Sequence, residues 1–109
     1  MDALTPAVFH ILLALADEDR HGYGIMLEVA TWTNQQVLLG PGTLYGTLKR
    51  MLEAGLIEEC GERIDPGLSD ERRRYYRITR QGRRAATAEA ERLQGLVRMA
   101  RAKSVLKTA

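Results

Sequence analysis

One cysteine, Cys60, and three prolines stand among 109 residues, and aromatic side chains make up only 6% of the chain. A lone cysteine leaves no intrachain disulfide and no cysteine-built metal cluster. No apolar run approaches the roughly 20 residues that a membrane-crossing helix needs. The start has neither the basic segment nor the small-residue cleavage site of a secretory signal. Together these absences predict a soluble, cytoplasmic chain with no metal and no other cofactor. Paired carboxylates, a nucleophile beside a base, a phosphate-cradling glycine loop and zinc-ligand spacing are also missing, and His10 and His21 fall on separate elements. Nothing here builds an enzyme.

What is present is charge, unevenly spread. Residues 1–62 carry nine acids and three bases, residues 63–84 eight arginines and three acids, and residues 85–109 five bases and two acids. The formal net charge of only +2 hides this polarity. Tyr75 and Tyr76 sit inside the arginine block, which sets it apart from a plain solvated charge run. A length of 109 residues allows one domain. A chain this small buries only about two-thirds of its unfolded surface, so pairing with a second copy would add a needed apolar contact.

The pattern of elements follows from caps and periodicity. Thr5 and Pro6 open a first helix that is apolar almost all round, from Val8 to Leu15, with Phe9 and Leu12 available to a partner. His10 on this helix reads as a packing or interface residue. Asp19 is placed to cap a second helix carrying Ile25, Met26, Val29 and Trp32 on a stripe. The "GYG" near its start suggests close approach by another backbone, protein or nucleic acid. Trp32 suits either core packing or the wall of an effector pocket. "QVLLG" can form a short strand. "GPGTLYGTLKRMLEAG" is then a third helix that begins at Pro41, buries Leu44, Leu48, Met51 and Leu52, and stops at Gly55.

"LIEEC" and "RRYYRIT" read as two strands of a hairpin, with Asp65-Pro66-Gly67 a turn signal in its tip. Thr79 caps a last helix of some 28 residues, whose Ala86, Ala90, Leu93, Val97, Ala100 and Ser104 recur in heptad fashion and are widened by Leu96 and Met99. Such a helix is longer than the domain can cover, and a second copy would cover it. The fold class is therefore mainly α with a small β-hairpin, or α+β: a winged helix-turn-helix over residues 1–79 and a dimerisation helix over residues 80–109.

DNA carries a phosphate charge about every 1.7 Å along its axis, and sequence is read by a helix lying in the major groove. On the third helix, Lys49 and Arg50 can reach phosphate or guanine, Thr43 and Thr47 offer hydroxyls to base edges or phosphates, and Gly46 permits close approach. Tyr45 suits phosphate contact or packing beneath the groove-facing side. Arg72, Arg73 and Arg74 stand where the hairpin returns, placed to lie along phosphates or in the minor groove, with Arg63 on the outgoing arm to assist. Some of these arginines are expected to pair with Asp70 and Glu71. Arg77, Arg80, Arg83 and Arg84 belong to the strand exit and the long helix.

In their order, "HGYGI", "GPGTLYGTLKRMLEAGLIEE" and "DERRRYYRITRQGRR" resemble PadR-type transcriptional regulators over residues 4–102. The resemblance implies a winged-helix homodimer, in most cases a repressor, of the compact kind with a single C-terminal helix. It further implies that Thr43 to Arg50 enter the major groove of an operator, that Arg72–Arg74 grip the backbone, and that Leu93 and Val97 cross the dimer axis against the first helix. Some compact members bind flat hydrophobic drugs between aromatic side chains in a central pore. The last helix here has no Trp, Tyr or Phe, a departure from that arrangement. The same fold also serves as a protein-assembly module without operator DNA. A flat dependence of duplex affinity on salt would mark that alternative.

Overall fold

The computed structural model describes residues 3–64 and 72–107. Thr5 accepts a hydrogen bond from the Val8 N–H and Pro6 takes the first helical position, so helix α1 runs Pro6–Ala14. The chain then makes a two-residue strand, β1 (Arg20–His21), before α2 (Gly22–Trp32) and α3 (Pro41–Glu53). Strands β2 (Ile57–Ile64) and β3 (Arg72–Ile78) form the antiparallel wing, and α4 (Arg80–Ala102) closes the chain. The sheet order is β1-β3-β2. The expected turn at Asp65-Pro66-Gly67, and the pairing expected of Asp70 and Glu71, lie outside the described residues.

One core joins every helix to the sheet. Ile11, Leu12 and Leu15 of the α1 region meet Ile25 and Val29 of α2, Leu44, Leu48 and Met51 of α3, Ile57 of β2, Tyr76 of β3 and Ala85 of α4. The expected apolar face of α3 is therefore buried, with Leu52 at its margin. Gly55 follows the helix at φ +76° and closes it in the left-handed conformation.

Three local expectations are corrected. "QVLLG" is not a strand, although Leu39 reaches the core and Leu38 points outward. A strand needs a paired edge, and the edge of β3 is taken instead by Arg20 and His21, opposite Tyr76 and Tyr75. Asp19 does not cap α2. His21 does, its Nδ1 accepting from the Gly24 N–H at 3.0 Å, because Asp19 is drawn to Arg63 and Arg77. Helix α4 spans 23 residues rather than about 28. Beyond Lys103 the chain turns at Ser104, with φ +63°.

Helix α4 is seated at its start. Thr79 accepts from the Gly82 N–H as the expected cap and donates to Gly55 O at 2.6 Å. Gly82 packs so tightly on the Leu56 carbonyl that any Cβ would collide with it. That explains a glycine where a capping box would place Glu or Gln. Further along, the Glu89 side chain is 6% exposed and bound by Arg92 at 2.6 Å and 3.0 Å.

The bond from Arg92, helped by the Leu4 backbone N–H, holds the Glu89 carboxyl below its ordinary 4.5. A lowered acid pKa adds stability above the unfolded value and loses it as pH falls through the folded one. Melting temperature is accordingly expected to drop as pH is taken below about 4.5. Glu89→Gln should melt lower than the parent at neutral pH and show a shallower acid decline. A variant whose acid decline matched the parent's would remove Glu89 from this role.

Candidate nucleic-acid interface

Helix α3 presents Thr43, Tyr45, Lys49, Arg50 and Glu53 to solvent, with Gly46 half-buried among them. Lys49 makes no ion pair among the described residues, and Arg50 makes only a hydrogen bond to Thr47 Oγ1 at 3.3 Å. Thr47 itself is corrected: it is 2% exposed and lies in the helix's inward half beside Leu44, Leu48 and Met51. A step of about 100° per residue carries it past the flank of the outer face. It steadies Arg50 instead of presenting a hydroxyl to bases.

The wing divides its arginines between two faces. A bulge places Cys60 and Gly61 (φ +106°) opposite Tyr75 alone, between the Glu59–Tyr76 and Glu62–Arg74 pairs. Alternation then gathers Arg72, Arg74 and Tyr76 with Glu59 and Glu62 on one face, and Arg63 and Cys60 with Arg73, Tyr75 and Arg77 on the other. Arg74 meets Glu59 at 3.4 Å. Arg63 is held on the second face, 3.1 Å from Asp19 and 4.5 Å above the Tyr75 ring.

Asp19 also takes Arg77 at 3.1 Å. The Arg77 bond, then those from Arg63 and Cys60, keep the Asp19 carboxyl below the usual range. Burial pushes the Cys60 thiol up. The expected helper role of Arg63 is therefore corrected: this cluster commits it to tying the α1–β1 connection to the wing. Arg83 has a similar tie, donating to Ala16 O at 2.9 Å.

Arg72, Arg73 and Arg74 do come together. With His21, Gly22, Tyr45 and Tyr76 they line a cleft of about 250 Å³ between the wing, the start of α2 and the outer side of α3. The Arg73 guanidinium stands 5.9 Å from the Tyr23 ring centroid, and its Nε is buried with no hydrogen-bond partner among the described residues. The first N–H groups of α2 open beside this cleft, where a helix end favours an anion. The sequence singled out "GYG" but not its role here. Gly22 is needed because a Cβ would come within 2.5 Å of Tyr45 Oη.

Gly22→Ala is expected to push the half-exposed Tyr45 ring out of place with little loss of stability, within about 1 kcal/mol. Binding of duplex DNA should weaken several-fold. Unchanged affinity with Tyr45 displaced would show that the tyrosine takes no part.

Two expectations for other residues change. Trp32 is not in the core: it is 80% exposed and lines a groove of about 530 Å³ with His10, Leu13, Ala14, Val29 and the carboxylates of Asp17 and Glu28. Leu12, expected at a subunit contact, is fully buried in its own chain's core. A helix apolar on all sides spends its innermost side on the domain itself. Phe9 is half-buried. On α4, Ala86 packs partly on this same core, whereas Ala90, Leu96 and Val97 are exposed, with Leu93 and Ala100 half-buried.

Among the described residues no group of His, Cys, Asp and Glu is arranged to hold a metal ion, and no helix is long and apolar enough to cross a membrane.

Known proteins share this arrangement. A transcriptional regulator of Mycobacterium tuberculosis is 36% identical over 89 residues, covering 82% of this chain and 77% of that protein. An uncharacterized protein of Lysinibacillus sphaericus is 35% identical over 74 residues, covering 67% of this chain and 64% of its own length. The Bacillus subtilis PadR structure in complex with operator DNA superposes with a TM-score of 0.66 at 19% identity. That match covers 81% of this chain and 48% of that one, and at this identity it speaks for the fold. Residues 11–88, from the core of α1 through the wing to the seat of α4, match the Transcriptional regulator PadR-like family. With its winged helix and long final helix, this chain belongs to that family of DNA-binding transcriptional regulators.

Proposed function

We propose that this chain acts in the cytoplasm as a homodimeric, ligand-responsive repressor of transcription, binding a pseudo-palindromic operator. The observation that carries the proposal is the convergence of Lys49 and Arg50 on the open face of α3 with Arg72–Arg74 around the cleft at Tyr45. Two basic elements, one suited to a groove and one to a backbone, flank a cleft wide enough for a phosphate. Thr43 and Gly46 allow α3 to approach base edges, while Lys49 and Arg50 reach phosphate or guanine. Arg72 and Arg74 lie along the backbone. The unpartnered Arg73 Nε and the first N–H groups of α2 offer donors to a phosphate oxygen. Operator DNA bound to the Bacillus subtilis PadR supports the choice of duplex DNA as partner.

Residues 1–79 serve DNA and residues 80–109 serve pairing in this proposal. Two-fold pairing would set two α3 helices on half-sites about one helical turn, 34–36 Å, or a multiple apart. A small apolar effector would act at the Trp32 groove by altering how the two copies sit. The test is selection of bound duplexes from a random or genomic pool, followed by footprinting. An inverted repeat with that spacing is expected. A pool with no enriched duplex would contradict the proposal.

A further inference from the structure

We infer that the groove between α1 and α2 is filled by the exposed end of α4 from a second copy of this chain, matched to it by charge. The inference rests on the homodimeric reading above and adds the receiving surface.

The groove is an unusual thing to leave in water. Trp32 is the chain's only tryptophan, and its indole N–H donates to Glu28 Oε2 at 3.0 Å, which holds the ring at the surface. Leu13, half-exposed, faces it across the groove. A contiguous apolar surface of this kind marks a contact site. Its rim is acidic. Asp17, Glu18 and Glu28 share the single Arg20, at 3.3, 3.4 and 3.2 Å, which leaves an excess of negative charge.

The end of α4 is the complement. Leu96, Val97 and Met99 are exposed along one stretch. Arg98, Arg101, Lys103 and Lys107 flank them, and no acid follows Glu91. Ten residues of helix reach about 15 Å, enough to run along the groove. The helix cannot cover the groove of its own chain, because its first turns are fixed on α1 and Leu56 and the rest extends along the 52 Å axis of the molecule. A small ligand would fill the groove and leave the α4 stripe bare. A second copy covers both, and a two-fold axis makes the contact twice.

Trp32 reports the contact directly. The protein is diluted while its emission and its sedimentation are followed together. The expected result is a blue-shifted emission in the dimer that moves to the red over the same concentrations at which the dimer dissociates. Charge is tested with two chains, Arg98→Glu with Arg101→Glu, and Asp17→Lys with Glu28→Lys. Each alone is expected to dimerise at least tenfold more weakly, and mixing them should restore a heterodimer. Where the second chain is not folded by circular dichroism, Leu13→Glu replaces it and should weaken the dimer alone.

A dimer whose Trp32 emission stays that of a solvated indole at every concentration would overturn the inference and leave the homodimer standing. A monomer at all concentrations would overturn both. An emission that responds only to an added apolar cation would make the groove a ligand site and overturn the inference. Mixed chains that fail to recover a dimer would overturn the charge matching.

Discussion

Lys49→Ala combined with Arg50→Ala is expected to erase discrimination of the operator while leaving a folded dimer. Both side chains leave the outer face of α3, and neither is part of the core. The one internal bond lost is that from Arg50 to the Thr47 hydroxyl, and exposed positions of this kind change stability by about 0.5 kcal/mol or less. On DNA the balance is different. A well-placed basic contact to a base edge is worth about 1–3 kcal/mol, so two lost contacts cost about 2–6 kcal/mol per half-site. At roughly 1.4 kcal/mol per tenfold, a hundredfold loss of operator affinity is a modest expectation. If one of the two instead neutralises a phosphate, the salt slope should fall by about 0.9 for each such contact. Footprinting checks the outcome. A double variant that still protected the same bases would remove α3 as the reading element.

Leu93→Glu with Val97→Glu is expected to give monomers that bind DNA weakly. Val97 is exposed and Leu93 half-buried on the part of α4 beyond its seat, so two carboxylates there would face a partner's apolar surface. An unpaired charge in such a contact costs several kcal/mol. Loss of the dimer also removes the tie between half-sites, which multiplies affinity without any new contact. Sedimentation measures the first effect and duplex titration the second. An intact dimer would rule out this stretch of α4 as the interface.

Much of this was readable because local chemistry and tertiary structure agree. Thr5, Pro6, Thr79 and Gly55 mark helix boundaries through properties a single residue carries: a cap oxygen, a fixed φ, a tolerated positive φ. The apolar spacing of α3 likewise fixed which face is buried. The misses share a different cause. Whether Val37–Leu39 forms a strand depends on a free sheet edge, which Arg20 and His21 occupy. The separation of Arg63 from Arg72 and Arg74 depends on register and on the bulge at Cys60–Gly61. Asp19 reads as a cap until two distant arginines claim it. Thr47 sat at the flank of the helix projection, where a few degrees separate groove from core. Trp32 was expected to bury itself, yet nothing in its own chain covers it.

Positive side chains converging on a duplex are best tested by salt. The folded protein is titrated onto its selected duplex between about 50 and 200 mM salt, with the slope of log affinity against log salt as the readout. A steeply negative slope, reflecting several phosphates neutralised by each copy, is the expected result. A flat slope, or no binding even in dilute buffer, would contradict the assignment and favour a protein-assembly role for the same surface.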